Sequence, residues 1–324
     1  MKIKIFISSI LASCLLASHT AQAAISITNT SHKTTISNYA QTQYPIVFNH
    51  GMFGFERLSI GHIGIDYFYQ ILPDLKRNGA IAFASQVSPL ESTEIRGEQL
   101  LQQVDEIIAL TGIPKVNLIG HSHGGPTAHY VSVIAPAKVA SVTGVAGSFR
   151  GSIVTDNFLS YRFPNTVINA AGQYLLGPTI NLLQGSNYSL EVNRSLYSIG
   201  EKGSLAFNEK YPNAAIPNTP CGSGVKKTSD GVYHYSWTGT AQLTNLLDVA
   251  DIAVSQLGNL SYLHTDHDGL INRCNTHYGQ VIRDTYPHTH LDEVNQVLGL
   301  KGLFAPDPVS IFRQHANRLK SQGL

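Results

Sequence analysis

In Gly120-His121-Ser122-His123-Gly124-Gly125 a serine stands between two glycines, each two residues away. The apolar run of Val116, Leu118 and Ile119 precedes it, and a helix-compatible stretch from Thr127 to Val133 follows. Strand, sharp turn and helix in that order hold a serine at the tip in a strained conformation with its hydroxyl exposed. The flanking glycines let the strand and helix backbones pass closely. A tight glycine-rich turn can also carry an ordinary serine, and the G-x-S-x-G string recurs by chance. The strand context and the second glycine make Ser122 a candidate nucleophile.

A serine hydroxyl attacks poorly without an adjacent base, and the base needs a partner that fixes its tautomer. In one known chain order of such triads, acid and histidine follow the serine on loops after late strands. Asp268 fits within His267-Asp268-Gly269, a polar turn leading to Cys274, with Asp266 and Asp251 as competitors. For the base, His277, His288 and His290 compete. His290 follows the strand-like Gln280 to Arg283 and precedes an expected helix beginning near Asp292, and a loop between last strand and last helix suits a base. Two backbone N–H groups must also face the negative charge that develops on the attacked carbonyl. His123, directly after the serine, offers one. His50-Gly51-Met52-Phe53-Gly54 follows the strand-like Ile46-Val47-Phe48, and Met52 offers the other.

The elements that must hold these groups alternate. Pro45 to Phe48 and Ile81 to Ala84 read as short buried strands. From Glu98, the apolar positions Leu100, Leu101, Val104, Ile107 and Ile108 recur at helical spacing up to Gly112-Ile113-Pro114. Val139 to Val145 is the next strand. Tyr233 to Trp237 is a further short one, with a hairpin toward Cys221 as an option. Strands alternating with helices predict a mostly parallel sheet with helices on both faces. The segment from 147 to 217 lacks strand signals. It carries amphipathic patches at Val167 to Leu176 and Ile180 to Leu183, separated by Gly177-Pro178, and reads either as a mobile lid or as an ordinary helical insertion. One α/β domain over residues 24–324 is expected.

The 324 residues carry a formal charge of +1, and only 13% are charged, which gives no footprint for nucleic acid. Lys2 and Lys4 precede an apolar stretch from Ile5 to Ala17, and Ala21-Gln22-Ala23 supplies a small-x-small cleavage pattern, so residues 1–23 read as a secretory signal peptide. Leu11-Ala12-Ser13-Cys14 also fits a lipoprotein box, but the apolar run continues past Cys14 and a better cleavage site follows. Export leaves Cys221 and Cys274, which most simply form one disulfide.

Four stretches carry a family resemblance: Tyr44 to Gly54, Arg96 to Leu101, Val116 to Pro126 and His290 to Gln296. They resemble the secreted bacterial triacylglycerol lipases of the Pseudomonas type, from about Tyr44 to the C-terminus. The resemblance implies an α/β-hydrolase fold with a helical lid. It also implies Ser122 as nucleophile, Asp268 as acid, His290 as base, and Met52 and His123 as oxyanion donors. Arg96 would anchor the oxyanion loop. A structural Ca²⁺ is implied near the base, held by the carboxylates of Asp248 and Asp292 and the carbonyls of Gln296 and Leu300. Asp292 has a plainer reading as an acidic residue at a helix start. The same matching pairs Cys221 with Cys274. A membrane-anchored foldase chaperone and type II export through the periplasm are implied as well.

The chain departs from that pattern in a longer loop after Gly54, through Glu56 to His62, in Gly147 to Gly151, and in the poorly matching lid. The expected activity is hydrolysis of triacylglycerol esters at an oil–water interface. An esterase acting on soluble short-chain esters is the alternative within enzymes. A non-catalytic hydrolase-like binding module is the alternative outside them, and it would lack a member of the nucleophile, base and oxyanion set.

Overall fold

The computed structural model describes residues 35–160 and 162–324. The expected signal peptide and Cys14 lie outside the described residues. In chain order the elements are β1 (Ile46–Asn49), β2 (Arg57–Ile60), β3 (Ile63–Asp66), α1 (Ile71–Arg77), β4 (Ala82–Ala84), α2 (Thr93–Thr111), β5 (Val116–His121), α3 (Gly124–Ile134) and β6 (Val139–Val145). They continue with α4 (Ile153–Leu159), α5 (Asn165–Ala171), α6 (Gly177–Leu183), α7 (Val192–Ile199), α8 (Glu201–Lys210), β7 (Tyr233–Gly239), α9 (Val249–Ser261), β8 (Gln280–Tyr286) and α10 (Pro308–Ser321).

Six strands form one parallel sheet in the order β4-β1-β5-β6-β7-β8. Successive side chains of a strand point to opposite faces. Val47 accordingly joins the core beneath α2 and α3, with Leu100, Val104 and Val131. Ile46 and Phe48 join the opposite core, where Phe68, Trp237 and Phe312 pack. The central strands β1, β5 and β6 are buried along their whole length, which is why apolar residues fall on both faces of each rather than strictly alternating with polar ones.

Several boundaries differ from the sequence reading. Helix α2 starts before Glu98, at Thr93, where the Ser92 side chain accepts from the Ile95 N–H. Tyr233 to Trp237 is part of a parallel strand between β6 and β8, and its first residues also pair antiparallel with Lys226 and Lys227 in a short hairpin, where the His234 N–H donates to the Lys226 carbonyl (2.7 Å). The longer loop after Gly54 folds as an antiparallel hairpin, β2–β3. Gly177-Pro178 does not break the helix. The wider turn Gly172–Leu176 comes where Pro178 has no N–H to give, and α6 continues directly. The helix expected from Asp292 is only a short 3₁₀ turn, Asp292–Val294, closed by Asn295 in the left-handed region (φ 62°), so the last helix begins at Pro308.

Cys221 and Cys274 are disulfide-bonded across 53 residues, tying the segment before β7 to the turn before β8. Among the described residues no helix is long and apolar enough to cross a membrane.

Candidate active site

Ser122 sits between β5 and α3 with φ 56°, a conformation costly for any residue with a side chain. The turn is so tight that a Cβ on Gly120 would lie 2.0 Å from the Gly124 carbonyl oxygen. The Ser122 N–H donates to the Val145 carbonyl (3.0 Å), which fixes the elbow to β6. The chain in front is equally close: a Cβ on Gly51 would meet the Ser122 Cβ at 2.9 Å. The loop after β1 therefore faces the candidate nucleophile, as the sequence reading required.

Within that loop the N–H groups are assigned one by one. Gly51 donates to the Tyr67 hydroxyl (3.2 Å), Phe53 to the Pro89 carbonyl (3.0 Å) and Gly54 to the Gly51 carbonyl (3.2 Å). Among the described residues the Met52 N–H has no acceptor, and neither does the His123 N–H at the start of α3, where a helix leaves its first donors open. Two unspent amide donors thus flank Ser122.

Arg96 is fully buried and holds this loop from behind. Its guanidinium donates to the carbonyls of Ser88 and His50, the latter at 2.6 Å. Burial lowers its pKa to about 9, which leaves it cationic at neutral pH. His50, beside it, is pushed down to about 3 by burial first and by the Arg96 charge second, so its imidazole is neutral. The neutral His123 ring is fixed between Thr93 Oγ1 (2.9 Å) and Ser195 Oγ (3.5 Å), from α2 and α7.

Of the competing acids and histidines, the structure brings one pair together. His290 Nδ1 stands 2.7 Å from Asp268 Oδ2, and the His290 N–H donates to the Asp268 carbonyl (2.8 Å). The other Asp268 oxygen accepts from the Leu270 and Ile271 N–H groups (2.9 and 2.8 Å). With Nδ1–H directed at the carboxylate, Nε2 carries the lone pair. Nε2 and the Ser122 hydroxyl have no hydrogen-bond partner among the described residues. The other candidates are occupied elsewhere. Asp266 pairs with Arg273, His277 with Asp284, and His288 with the Pro306 carbonyl. Asp251 accepts from Thr244, Asn245 and Thr289.

Sequence reasoning missed a bridge between the three loops. Tyr67 Oη lies 2.7 Å from His121 Nδ1, and His121 Nε2 lies 2.9 Å from the His290 carbonyl oxygen. Burial and the nearby His290 keep His121 neutral. Its Nε2–H therefore donates to His290, and its Nδ1 accepts from Tyr67, whose oxygen in turn accepts from Gly51. The His121 and His290 rings are 4.6 Å apart, centroid to centroid, which brings the base beside the residue preceding Ser122. Glu293 was missed too. It is buried, bound at Oε1 by the Gly239 N–H (2.6 Å), and raised well above the usual carboxyl range by burial first and by Asp268 second. No signal in the sequence marked Tyr67 or Glu293.

Of the expected calcium ligands, the Asp248 and Asp292 carboxylates lie near each other, and Asp248 Oδ2 faces the Val297 N–H, next to Gln296 in the chain. Asp248 and Asp292 are buried, and Asp292 Oδ1 has no partner. One Asp248 oxygen caps α9, accepting from Ala250 (2.9 Å) and Asp251, while the other has only a long contact of 3.4 Å to the Val297 N–H. Among the described residues no hydrogen bond uses the carbonyls of Gln296 or Leu300. Burial lifts the Asp292 pKa to about 7, with Asp251 and Asp248 adding to the rise. Among the described residues no three His, Cys, Asp or Glu side chains form a metal-holding group, so a cation here must draw on main-chain oxygens. An orphaned buried carboxylate oxygen fits a hard, oxygen-seeking cation.

The family model for the alpha/beta hydrolase fold matches residues 44–278. The chain belongs to the α/β-hydrolase family. Proteins named triacylglycerol lipase are close in sequence to this hydrolase. The one from Vibrio cholerae serotype O1 is 45% identical, over 90% of this chain and 93% of that protein. Those of Pseudomonas fragi and Burkholderia plantarii are 36% and 35% identical, covering 87% and 88% of this chain and 98% and 88% of theirs. The fold is also that of two solved lipases. Staphylococcus hyicus lipase superposes with a TM-score of 0.58 at 15% identity, covering 87% of this chain and 97% of that one. Mature Bacillus licheniformis lipase BlEst2 gives 0.57 at 16%, covering 86% and 92%.

Proposed function

We propose that this hydrolase cleaves the ester bonds of triacylglycerols through Ser122, His290 and Asp268. The observation that carries the reading is the His290–Asp268 pair at 2.7 Å, set beside an elbow serine that two open N–H groups flank. His290 Nε2 takes the Ser122 proton as Oγ attacks the ester carbonyl carbon. The carbonyl π electrons move to oxygen, and the Met52 and His123 N–H groups hold that oxyanion. The tetrahedral adduct collapses, the C–O bond to glycerol breaks, and His290 protonates the departing alkoxide. Water, deprotonated by His290, then attacks the acyl-enzyme and releases the fatty acid and the free Ser122 hydroxyl. Asp268 holds the imidazole in the working tautomer and stabilises its cation.

Asp248 and Asp292, with the Gln296 and Leu300 carbonyls, would hold one Ca²⁺. The ion would supply charge that keeps the Asp292 carboxylate ionised and the loop bearing His290 in place. It takes no part in bond making. The relatives named triacylglycerol lipase support the substrate class. The signal-like N-terminus supports secretion through the periplasm, and the family resemblance supports a dedicated foldase and type II export.

Ser122→Ala tests the reading directly. It is expected to lower ester turnover by at least about 10³-fold with melting temperature retained, and to abolish labelling by a fluorophosphonate. Substantial turnover by the folded variant would remove Ser122 from its role.

A further inference from the structure

The β2–β3 hairpin is amphipathic, and among the described residues its apolar face is largely uncovered. Its register pairs Leu58 with Ile65 and Ile60 with Ile63, so the four aliphatic side chains share one face. Arg57, Ser59, Gly64 and Asp66 share the other. There Arg57 pairs with Asp66 and lies over Gly64, where a Cβ would have no room. The apolar face stays in water: Ile60 is 74% and Ile63 79% exposed. Single exposed aliphatic residues are ordinary, but Ile60, Ile63 and Ile65 exposed side by side on a two-stranded ribbon, with Leu58 half-buried beside them, are not. An isolated hairpin is marginal in water without something to cover its apolar face.

The hairpin is also fixed to the site at both ends. It leaves the oxyanion loop three residues after Gly54, and at its exit the Gln296 side chain donates to the Asp66 and Tyr67 carbonyls (2.7 Å each). Gln296 belongs to the loop that carries His290. Helix α6, whose Leu182 is exposed, packs beside β2. From Leu58 to Ile65 there is no Asp, Glu, Lys or Arg, and the one ion pair closes the base of the hairpin.

We propose that this face is a docking surface for a neutral lipid phase, with Ile60 and Ile63 entering the oil and so presenting the mouth of the site to substrate. A tip with no carboxylate, ammonium or guanidinium group, bearing only the imidazole of His62, suits triacylglycerol, which carries no charge, and its tethers to the oxyanion and base loops place the docked surface next to the chemistry. The inference rests on the triacylglycerol reading and adds the element by which the enzyme meets its substrate.

The test uses the full mature chain with Ile60→Asn and Ile63→Asn, singly and together, and Ser59→Asn on the opposite face as control. Depletion of protein from water by a triolein emulsion is measured beside hydrolysis of a soluble short-chain ester. The double variant is expected to adsorb at least about tenfold more weakly, and its ratio of triolein to soluble-ester turnover to fall by a similar factor, from removing two apolar side chains from the contact. Ser59→Asn should match the unchanged enzyme. Adsorption by the double variant equal to the unchanged enzyme's would overturn the proposal. So would a wild-type dimer that the substitutions convert to monomer, which would make the face a contact between copies. Failure of the unchanged enzyme to hydrolyse any ester would instead sink the catalytic reading, leaving the adsorption result to stand alone.

Discussion

Tyr67 Oη and His121 Nδ1 lie 2.7 Å apart, although 54 residues separate them in the chain. Through that contact the loop bearing Met52, the elbow bearing Ser122 and the backbone of His290 share one buried chain of hydrogen bonds. Tyr67→Phe keeps the ring packed and removes only the hydroxyl. It strands the Gly51 N–H and the His121 Nδ1 lone pair, each costing about 1–3 kcal/mol if unrelieved. We expect kcat on a soluble ester to fall about tenfold or more with KM little changed, because what is lost is alignment of donors to the transition state. An unchanged kcat would show that the three loops hold their positions independently.

The calcium proposal makes a separate prediction. A cation that binds only the folded chain stabilises it by about 2.7 kcal/mol at one hundred times its dissociation constant. Excess chelator should therefore lower the melting temperature by several degrees, and Ca²⁺ should restore it. Asp292→Asn should abolish the response. Thermal unfolding of both proteins with and without Ca²⁺ checks this, and an unchanged melting temperature in chelator would remove the ion.

Acid should destabilise the fold before it reaches the range in which ordinary carboxylates titrate. Burial holds His129 and His288 down to about 4, against 6.5 for an ordinary histidine. Below about pH 6.5 the unfolded chain takes up these protons and the folded chain does not, so the folded state's advantage is whole above pH 6.5. It is lost as pH falls from 6.5 toward 4, at about 1.4 kcal/mol per unit for each histidine. Glu293, Asp292 and Glu56 act in the opposite direction, since their raised pKa values favour folding at low pH, but the histidines lowered by burial, among them His50, His121, His123, His234 and His315 as well, outnumber them. Urea unfolding should give a clearly lower stability at pH 5 than at pH 7, and equal values would refute this balance.

The disulfide closes 53 residues, a loop worth about 4 kcal/mol of chain entropy. Cys221→Ser with Cys274→Ser should lower unfolding stability by roughly that amount while soluble-ester turnover below the new melting temperature stays near its original value. A loss of turnover with no loss of stability would place the bridge in the chemistry instead.

What was legible in the sequence was local. The elbow is five consecutive residues whose glycines and serine must do their work within one turn, so Ser122, His123 and the strand before them could be read directly. Apolar runs and helical spacing likewise announced β1, β5, β6 and α2, because burial on one or both faces dictates the pattern. The helix expected at Asp292 failed for the complementary reason. Thr244 bonds that carboxylate from a distant segment, and Asp251, also distant, holds the neighbouring Thr289, so the chain is kept in a turn that local propensity does not foresee.

The choice among Asp251, Asp266 and Asp268 was a tertiary decision. All three are short acidic side chains in polar surroundings, and only the fold gave one of them a histidine and gave the others a helix cap region or an arginine. Tyr67 and the exposed face of the β2–β3 hairpin belong to the same class. Their meaning lies in which atoms stand opposite them, and a sequence states which side chains exist but not which ones meet. Covalent order fixes contacts across a few residues, whereas contacts across hundreds are set by how the sheet and its two cores pack.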